Sequence, residues 1–281
     1  MNVRSLFRRT FLLLSILLAA SPALLFSEVP ASTPSPSPAG GKKPLVIWPL
    51  GDSITQGAGA PGGYRSPLYK LLTDAGYKVS FVGSHSIGAT PLLTASGNAA
   101  HDGHGSYPSM YLLGNLDAHI PVPHAPDTSN GGFWLTGTAT RPAIHPDLIL
   151  LMAGTNDLGM FGKSPAETLA SYDRLLEKLF TLRPNATVIC ATLAPYNGPA
   201  KVNKRDYSRR EAKQLEFNAG LPALVAKHKA AGRKIVLCDM RKNFPASEAS
   251  SKLTADGVHP NQAGYDSIAA GWFEAIRSVF P

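Results

Sequence analysis

Cysteine is scarce: Cys190 and Cys238 are the only two in 281 residues. That excludes a disulfide framework, and without CxxC spacing it also excludes a zinc ribbon. Both lie in apolar, strand-like runs, Thr187–Leu193 and Lys234–Met240. Two buried, unreactive thiols are the favoured expectation, with a disulfide outside the cytoplasm as the alternative. No unbroken stretch of about 20 apolar residues is present, so a spanning helix is disfavoured. No internal repeat is visible. The formal charge of +8 includes Arg4, Arg8 and Arg9 at the start of the chain. The densest basic group elsewhere is Lys201, Lys204, Arg205, Arg209 and Arg210, and Asp206 and Glu211 dilute it. It reads as a solvated helix face, and no nucleic-acid partner is expected.

What is present begins with a basic start and a short apolar run, Phe11 to Phe26, broken by Ser15, Ser21 and Pro22. This pattern predicts an export signal over residues 1–27, and hence a secreted or periplasmic protein. No cysteine lies in or just after the run, which disfavours a lipid anchor. Residues 28–43, rich in Pro and Ser, offer little apolar bulk and read as an extended spacer. The folded domain is expected over residues 44–281, enough for one α/β unit with a sizeable core. After signal removal no stable membrane insertion is expected.

Five apolar runs alternate with helical patterns. Leu45–Leu50, Lys78–Val82, Asp147–Met152, Thr187–Leu193 and Lys234–Cys238 read as strands. Asp147–Met152 is almost wholly apolar, as a strand covered on both faces would be. Tyr64–Ala75 has leucines at helical spacing. Ser164-Pro165-Ala166-Glu167 reads as a capping box opening a helix that stops before Pro184. A long helix is expected from about Asn203 to Ala231, and a closing one over Gln262–Phe280, capped by Asn261. The alternation predicts a parallel sheet with helices on both faces. Residues 84–144, rich in Gly, Pro, His, Ser and Thr, are expected to form loops and a helix around Ser109–His119, draped at one end of the sheet.

In an open α/β sheet, ligands bind beyond the C-terminal ends of the strands. Three polar clusters fall there: Gly51-Asp52-Ser53-Ile54-Thr55, Gly154-Thr155-Asn156-Asp157 and Asp256-Gly257-Val258-His259-Pro260. A serine hydroxyl needs an adjacent base to become a nucleophile, and His259 is a candidate. Asp256, three residues earlier, is suited to orient the imidazole. Asn156 offers amide N–H to a developing oxyanion.

These three motifs, in this order and spacing, resemble the SGNH (GDSL-type) hydrolase superfamily. The resemblance covers about Leu45 to the C-terminus, apart from the expanded middle. It implies a flavodoxin-like three-layer α/β/α fold with a five-stranded parallel sheet. It also implies a Ser-His-Asp set made of Ser53, His259 and Asp256, no metal and no organic cofactor. The oxyanion hole it implies comprises the Ser53 amide, the Asn156 side chain and a backbone N–H from the stretch His101–Tyr107. Aligned without a gap, the glycine of the family pattern falls on Ser106, with Gly105 just before it. Gly62-Gly63-Tyr64-Arg65 and Val79–Ser84 resemble the carbohydrate-esterase branch that includes acetylxylan esterases. The implied activity is hydrolysis of short acyl, chiefly acetyl, esters on a small molecule or polysaccharide. A lipase, thioesterase or arylesterase, or a non-catalytic glycan-binding protein, are the alternatives.

Other signals are weaker. Gly-x-Ser-x-Gly is absent, so the strained elbow of the larger α/β-hydrolases is not implied. Gly57–Gly62 formally matches GxGxxG, but it does not directly follow a strand and Pro61 interrupts it. A flexible loop beside the nucleophile is expected instead. His101, Asp102 and His104 are expected to form a polar active-site loop rather than a metal site. Ser53 by itself could cap a helix, and Asp157 is expected to be a turn residue or a loop buttress. Trp48, Phe133 and Trp134 are expected to pack, with Phe133 and Trp134 as possible cleft residues.

Overall fold

A computed structural model describes residues 43–123, 126–196, 207–254 and 256–281. The expected export signal (1–27) and all but the last residue of the expected spacer (28–43) lie outside the described residues, as do 203–206 of the expected long helix. The elements, in chain order, are β1 (Leu45–Gly51), α1 (Ser53–Gln56), α2 (Arg65–Asp74), β2 (Val79–Phe81), α3 (Pro91–Ala95), β3 (Asp102–Gly103) and α4 (Ser109–Asn115). Then come β4 (Leu148–Met152), α5 (Thr155–Gly159), α6 (Pro165–Leu182), β5 (Thr187–Ala191) and α7 (Tyr207–Ala230). The chain closes with β6 (Ile235–Cys238), α8 (Met240–Asn243), α9 (Ala249–Lys252) and α10 (Gln262–Val279). No helix among the described residues is long and apolar enough to cross a membrane.

All sheet pairings are parallel, in the order β2-β1-β4-β5-β6. This is the expected five-stranded path with one addition. The two-residue β3 pairs with Leu50 and Gly51 of β1, whereas β2 pairs with Leu45–Ile47. The two short strands therefore share one side of β1, and β3 takes over where β2 ends. Two residues of mixed polarity carry no period-2 signal, so β3 is invisible in the sequence. Helices α2 and α10 cover one face; α4, α6 and α7 cover the other. Strand β4, covered on both faces, is buried at all five positions. Burying such side chains contributes about 1.5–3 kcal/mol each.

Local chemistry sets the element ends. Ser164 and Glu167 form a reciprocal capping box at the start of α6, with Pro165 in its first turn. Asn261 caps α10 by accepting from the Gly264 amide. The cysteines sit on neighbouring strands but on opposite faces. Cys190 is in register with Leu237, one residue before Cys238, and the two side chains point apart. Cys238 Sγ donates to the Gly271 carbonyl of α10. Both thiols are free and buried, and burial pushes each up to about 12. That geometry settles the alternatives in favour of two unreactive thiols.

Strand order turns back between β1 and β4. The crevice outside the carboxyl ends of these two strands is where such sheets bind ligands. Ser53 follows β1 after one intervening residue, Asp52, and α5 opens three residues after β4.

Candidate active site

Asp52 and Ser53 occupy the sharp exit from β1. The N-cap of α1 is Asp52, whose Oδ1 accepts from the Ile54 amide at 2.9 Å. Ser53 therefore does not cap the helix, and its hydroxyl is free for another partner. That partner is His259: Ser53 Oγ and His259 Nε2 are 2.8 Å apart.

The histidine sits on a tightly pinned turn. Leu253 bridges Pro260, and the Thr254 amide donates to the His259 carbonyl at 2.8 Å. Within it, Asp256 Oδ1 accepts from Thr254 Oγ1, the Val258 amide and the His259 amide, at 2.9, 2.8 and 2.9 Å. Asp256 Oδ2 lies 2.6 Å from His259 Nδ1. Partial burial works to raise this carboxyl. The bonds from the His259 amide and ring, Val258 and Thr254 outweigh it and hold the carboxyl down at about 2. An ionised carboxylate only accepts, so Nδ1 carries the ring proton and Nε2 is left as acceptor for the serine hydroxyl. The Tyr207 hydroxyl of α7 donates to the Asp256 carbonyl at 2.5 Å and ties a third element to the turn.

The loop after α1 reaches the same turn. Gly59 has φ +101°, and a Cβ there would lie 2.4 Å from the Pro260 carbonyl. The glycines expected to give a flexible loop instead allow close packing against the histidine turn. Tyr265 of α10 clamps that loop by donating to the Ala58 carbonyl at 2.7 Å.

Residues 101–107 are held on the sheet. The His104 amide donates to the Gly51 carbonyl at 3.0 Å. A Cβ on Gly103 would be 2.2 Å from the Gln56 amide, so the approach of β3 to α1 requires glycine. Asp102 is fully buried. Its two oxygens take bonds from Trp48 Nε1, the Ser84 amide and hydroxyl, and His104 Nε2. His85 stands beside it, with its basicity lowered to about 4, by burial first and then by the His104 charge. His85, Asp102 and His104 form the kind of cluster that can hold a metal, yet four donors already fill the carboxylate. The cluster reads as an internal polar post, set behind the expected active-site loop.

The post anchors the chain just before Gly105 and Ser106. These two residues face the same cavity as Ser53 and His259, a volume of about 390 Å³. Ser106 has φ +65°, a left-handed conformation that favours glycine. Asn156 lines the cavity opposite, on α5. One of its amide hydrogens is used on the Tyr107 carbonyl at 3.1 Å, so the second remains available. Asp157, fully buried, accepts from the Ser109 amide and hydroxyl at 2.7 and 2.8 Å and from Lys163 Nζ at 2.8 Å. It fastens α4 to α5 and is a buttress.

Several site features escaped the sequence. Asp52 is wholly buried, and burial raises its carboxyl to about 6 against the opposing bond from Ile54 and the charge of His259. An acidic side chain next to Ser53 was the available signal. Arg210, expected on a solvated helix face, instead lines the cavity together with Tyr196 and Gln56. Its companions Lys201, Lys204 and Arg205 lie outside the described residues, and Arg209 is exposed. Trp48 and Trp134 are buried and pack edge to face at 6.2 Å, as expected. Phe133, expected to pack, is exposed instead, and neither it nor Trp134 lines this cavity.

Comparison with known proteins places the chain in a family. The model of the GDSL-like Lipase/Acylhydrolase family matches residues 50–267. A multidomain esterase of Ruminococcus flavefaciens is 28% identical over 243 residues, which is 83% of this chain and 28% of that protein. The chain spans between about a quarter and a half of the length of the curated relatives it matches. Among solved structures, a family 3 carbohydrate esterase of Clostridium thermocellum superposes with a TM-score of 0.63 at 27% identity, over 84% of this chain and 97% of that one. A carbohydrate esterase family 3 protein from Talaromyces cellulolyticus gives 0.62 at 22% identity over the same shares, a likeness of fold.

Proposed function

The chain belongs to the GDSL-like lipase/acylhydrolase family, and from that premise we propose that it is an exported serine esterase removing short acyl groups, acetyl foremost, from carbohydrate. The observation that carries this reading is the unbroken relay Ser53–His259–Asp256 on the wall of a cavity of about 390 Å³.

In the proposed reaction Ser53 Oγ attacks the ester carbonyl while His259 Nε2 takes its proton. Asp256 holds the imidazole tautomer and stabilises the cation. Negative charge gathers on the carbonyl oxygen. It is met by the Ser53 amide, the backbone N–H of Ser106 (or Gly105) and the second hydrogen of the Asn156 side chain. Collapse of that intermediate expels the alcohol, which receives the proton from His259. Water, deprotonated by the same imidazole, then attacks the acyl-serine and releases the acid.

Three considerations favour acetyl groups on sugars. The chain resembles family 3 carbohydrate esterases in sequence and fold. The N-terminal pattern at residues 1–27 suits export to where polysaccharides are met. The cavity also mixes hydroxyl, amide and charged groups rather than presenting an apolar acyl channel. Acetate release from acetylated xylan, acetylated chitin fragments and simple esters tests the reading, with Ser53→Ala as control. Release by the wild type alone supports it. Faster turnover of p-nitrophenyl octanoate than of the acetate would favour a lipase. Equal turnover by wild type and Ser53→Ala would favour a glycan-binding role.

A further inference from the structure

One charged group in the cavity has no role in the proposed acyl transfer. Among the described residues lining it, Arg210, Asp256 and His259 carry or can carry charge. Asp256 is compensated by its four donors. Arg210 is not: no carboxylate among the described residues pairs with it. The other basic groups nearby are engaged. Lys163 pairs with Asp157, Arg241 with Glu211, and Lys213 Nζ donates to the Gly162 and Lys163 carbonyls.

Among the described residues, Arg210 is held without being neutralised. Its guanidinium lies over the Tyr207 ring, 5.6 Å from the centroid. That same tyrosine donates to the Asp256 carbonyl, so Arg210 is indexed to the catalytic turn through one side chain. On its other side the guanidinium abuts Gly159, where an added Cβ would lie 3.7 Å from one of its terminal nitrogens. A guanidinium fixed on an aromatic face, half-buried and without a carboxylate partner among the described residues, presents a planar donor fork to whatever enters.

The geometry points to Arg210 as a specificity determinant that binds a carboxylate carried by the substrate. The preferred substrate would then be an acyl ester on an acidic sugar, a uronic-acid-bearing carbohydrate. The inference rests on the esterase reading and names its substrate class. The carboxylate forms paired hydrogen bonds with the guanidinium while the ester lies at Ser53. No bond is made or broken at Arg210.

The test compares two probes that differ in one group: mono-acetylated methyl glucopyranosiduronate and mono-acetylated methyl glucopyranoside, with the acetyl at the same position. The readout is the ratio of their kcat/KM values. A charge-assisted pair in a partly desolvated site gives a ratio of about 10–100 for the wild type. The ratio declines as salt is raised. It falls to about one in Arg210→Gln and to an intermediate value in Arg210→Lys, which keeps the charge but loses the fork. A wild-type ratio near one overturns the assignment, as does an undiminished ratio in a folded Arg210→Gln. Turnover of p-nitrophenyl acetate by the wild type separates the two readings. Its absence sinks the esterase reading itself, whereas its presence with a ratio near one sinks only the acidic-sugar assignment.

Discussion

His259 Nε2 lies 2.8 Å from Ser53 Oγ, across 206 positions of sequence. The contact spans the two ends of the domain: Ser53 leaves the strand beside the sheet's turning point, and His259 precedes the helix that closes the fold. If the two act as one unit, Ser53→Ala and His259→Ala each lower kcat by about 10⁴–10⁶-fold, and the double variant is no worse than either. Turnover of p-nitrophenyl acetate by the three variants measures this. Losses that multiply in the double variant would show that the residues act independently.

In the proposed reaction Asp256 is the orienting member of the set, and its own proton is not part of the pH dependence. With its carboxyl held at about 2, it stays ionised at every pH at which the enzyme is assayed. Its contribution to stability is complete above the ordinary carboxyl range and is lost as pH falls through about 2. Asp256→Asn is expected to reduce kcat by about 10²–10⁴-fold with little change in KM. A kcat/KM profile that keeps its wild-type height would remove Asp256 from the mechanism.

Asp52 has the opposite sign. Burial raises its folded value from 3.8 to about 6, so the folded protein holds this proton more tightly than the unfolded chain. Stability therefore falls as pH rises through that window and stays lower above it. The full effect of a two-unit shift is about 3 kcal/mol. Asp52→Asn keeps an acceptor for the Ile54 amide and removes the charge. It should raise the urea midpoint at pH 7.5 and leave it nearly unchanged at pH 4. A midpoint shift of equal size at both pH values would contradict the assignment.

The fold was largely legible because its signals are local. Strand β4 is a buried apolar run, Ser164 and Glu167 spell a capping box, and the β–α alternation allows few topologies. The parts that were not legible depend on tertiary approach. Strand β3 exists because Gly103 lets the chain pass against α1, and no periodicity marks it. Arg210 sits in a helix whose charges look solvent-directed, and only the packing of α7 beside the histidine turn puts it in the cavity. Asp52 is overshadowed in the sequence by its neighbour Ser53, and its burial depends on the elements packed around the exit of β1. Spacing pointed to the residues that meet at the site, but no spacing carries the tautomer of His259 or the second hydrogen of Asn156.

Ser106 separates two ways of building an oxyanion hole. The family resemblance aligns it, without a gap, with a glycine, and at φ +65° it keeps the backbone conformation a glycine would adopt freely. For a serine that conformation costs about 1–2 kcal/mol. If the backbone N–H is the donor, the side chain is incidental to it. Ser106→Gly then relieves the strain, raises stability by about 1 kcal/mol in urea unfolding, and changes kcat by only a few-fold. Asn156→Ala, which removes a side-chain donor, should instead lower kcat by about 10²–10³-fold. If the hydroxyl were the donor, Ser106→Gly would cost as much as Asn156→Ala. Measuring kcat for both variants beside their unfolding midpoints distinguishes the two cases, since amide donation alone pairs a gain in stability with near-normal turnover at position 106.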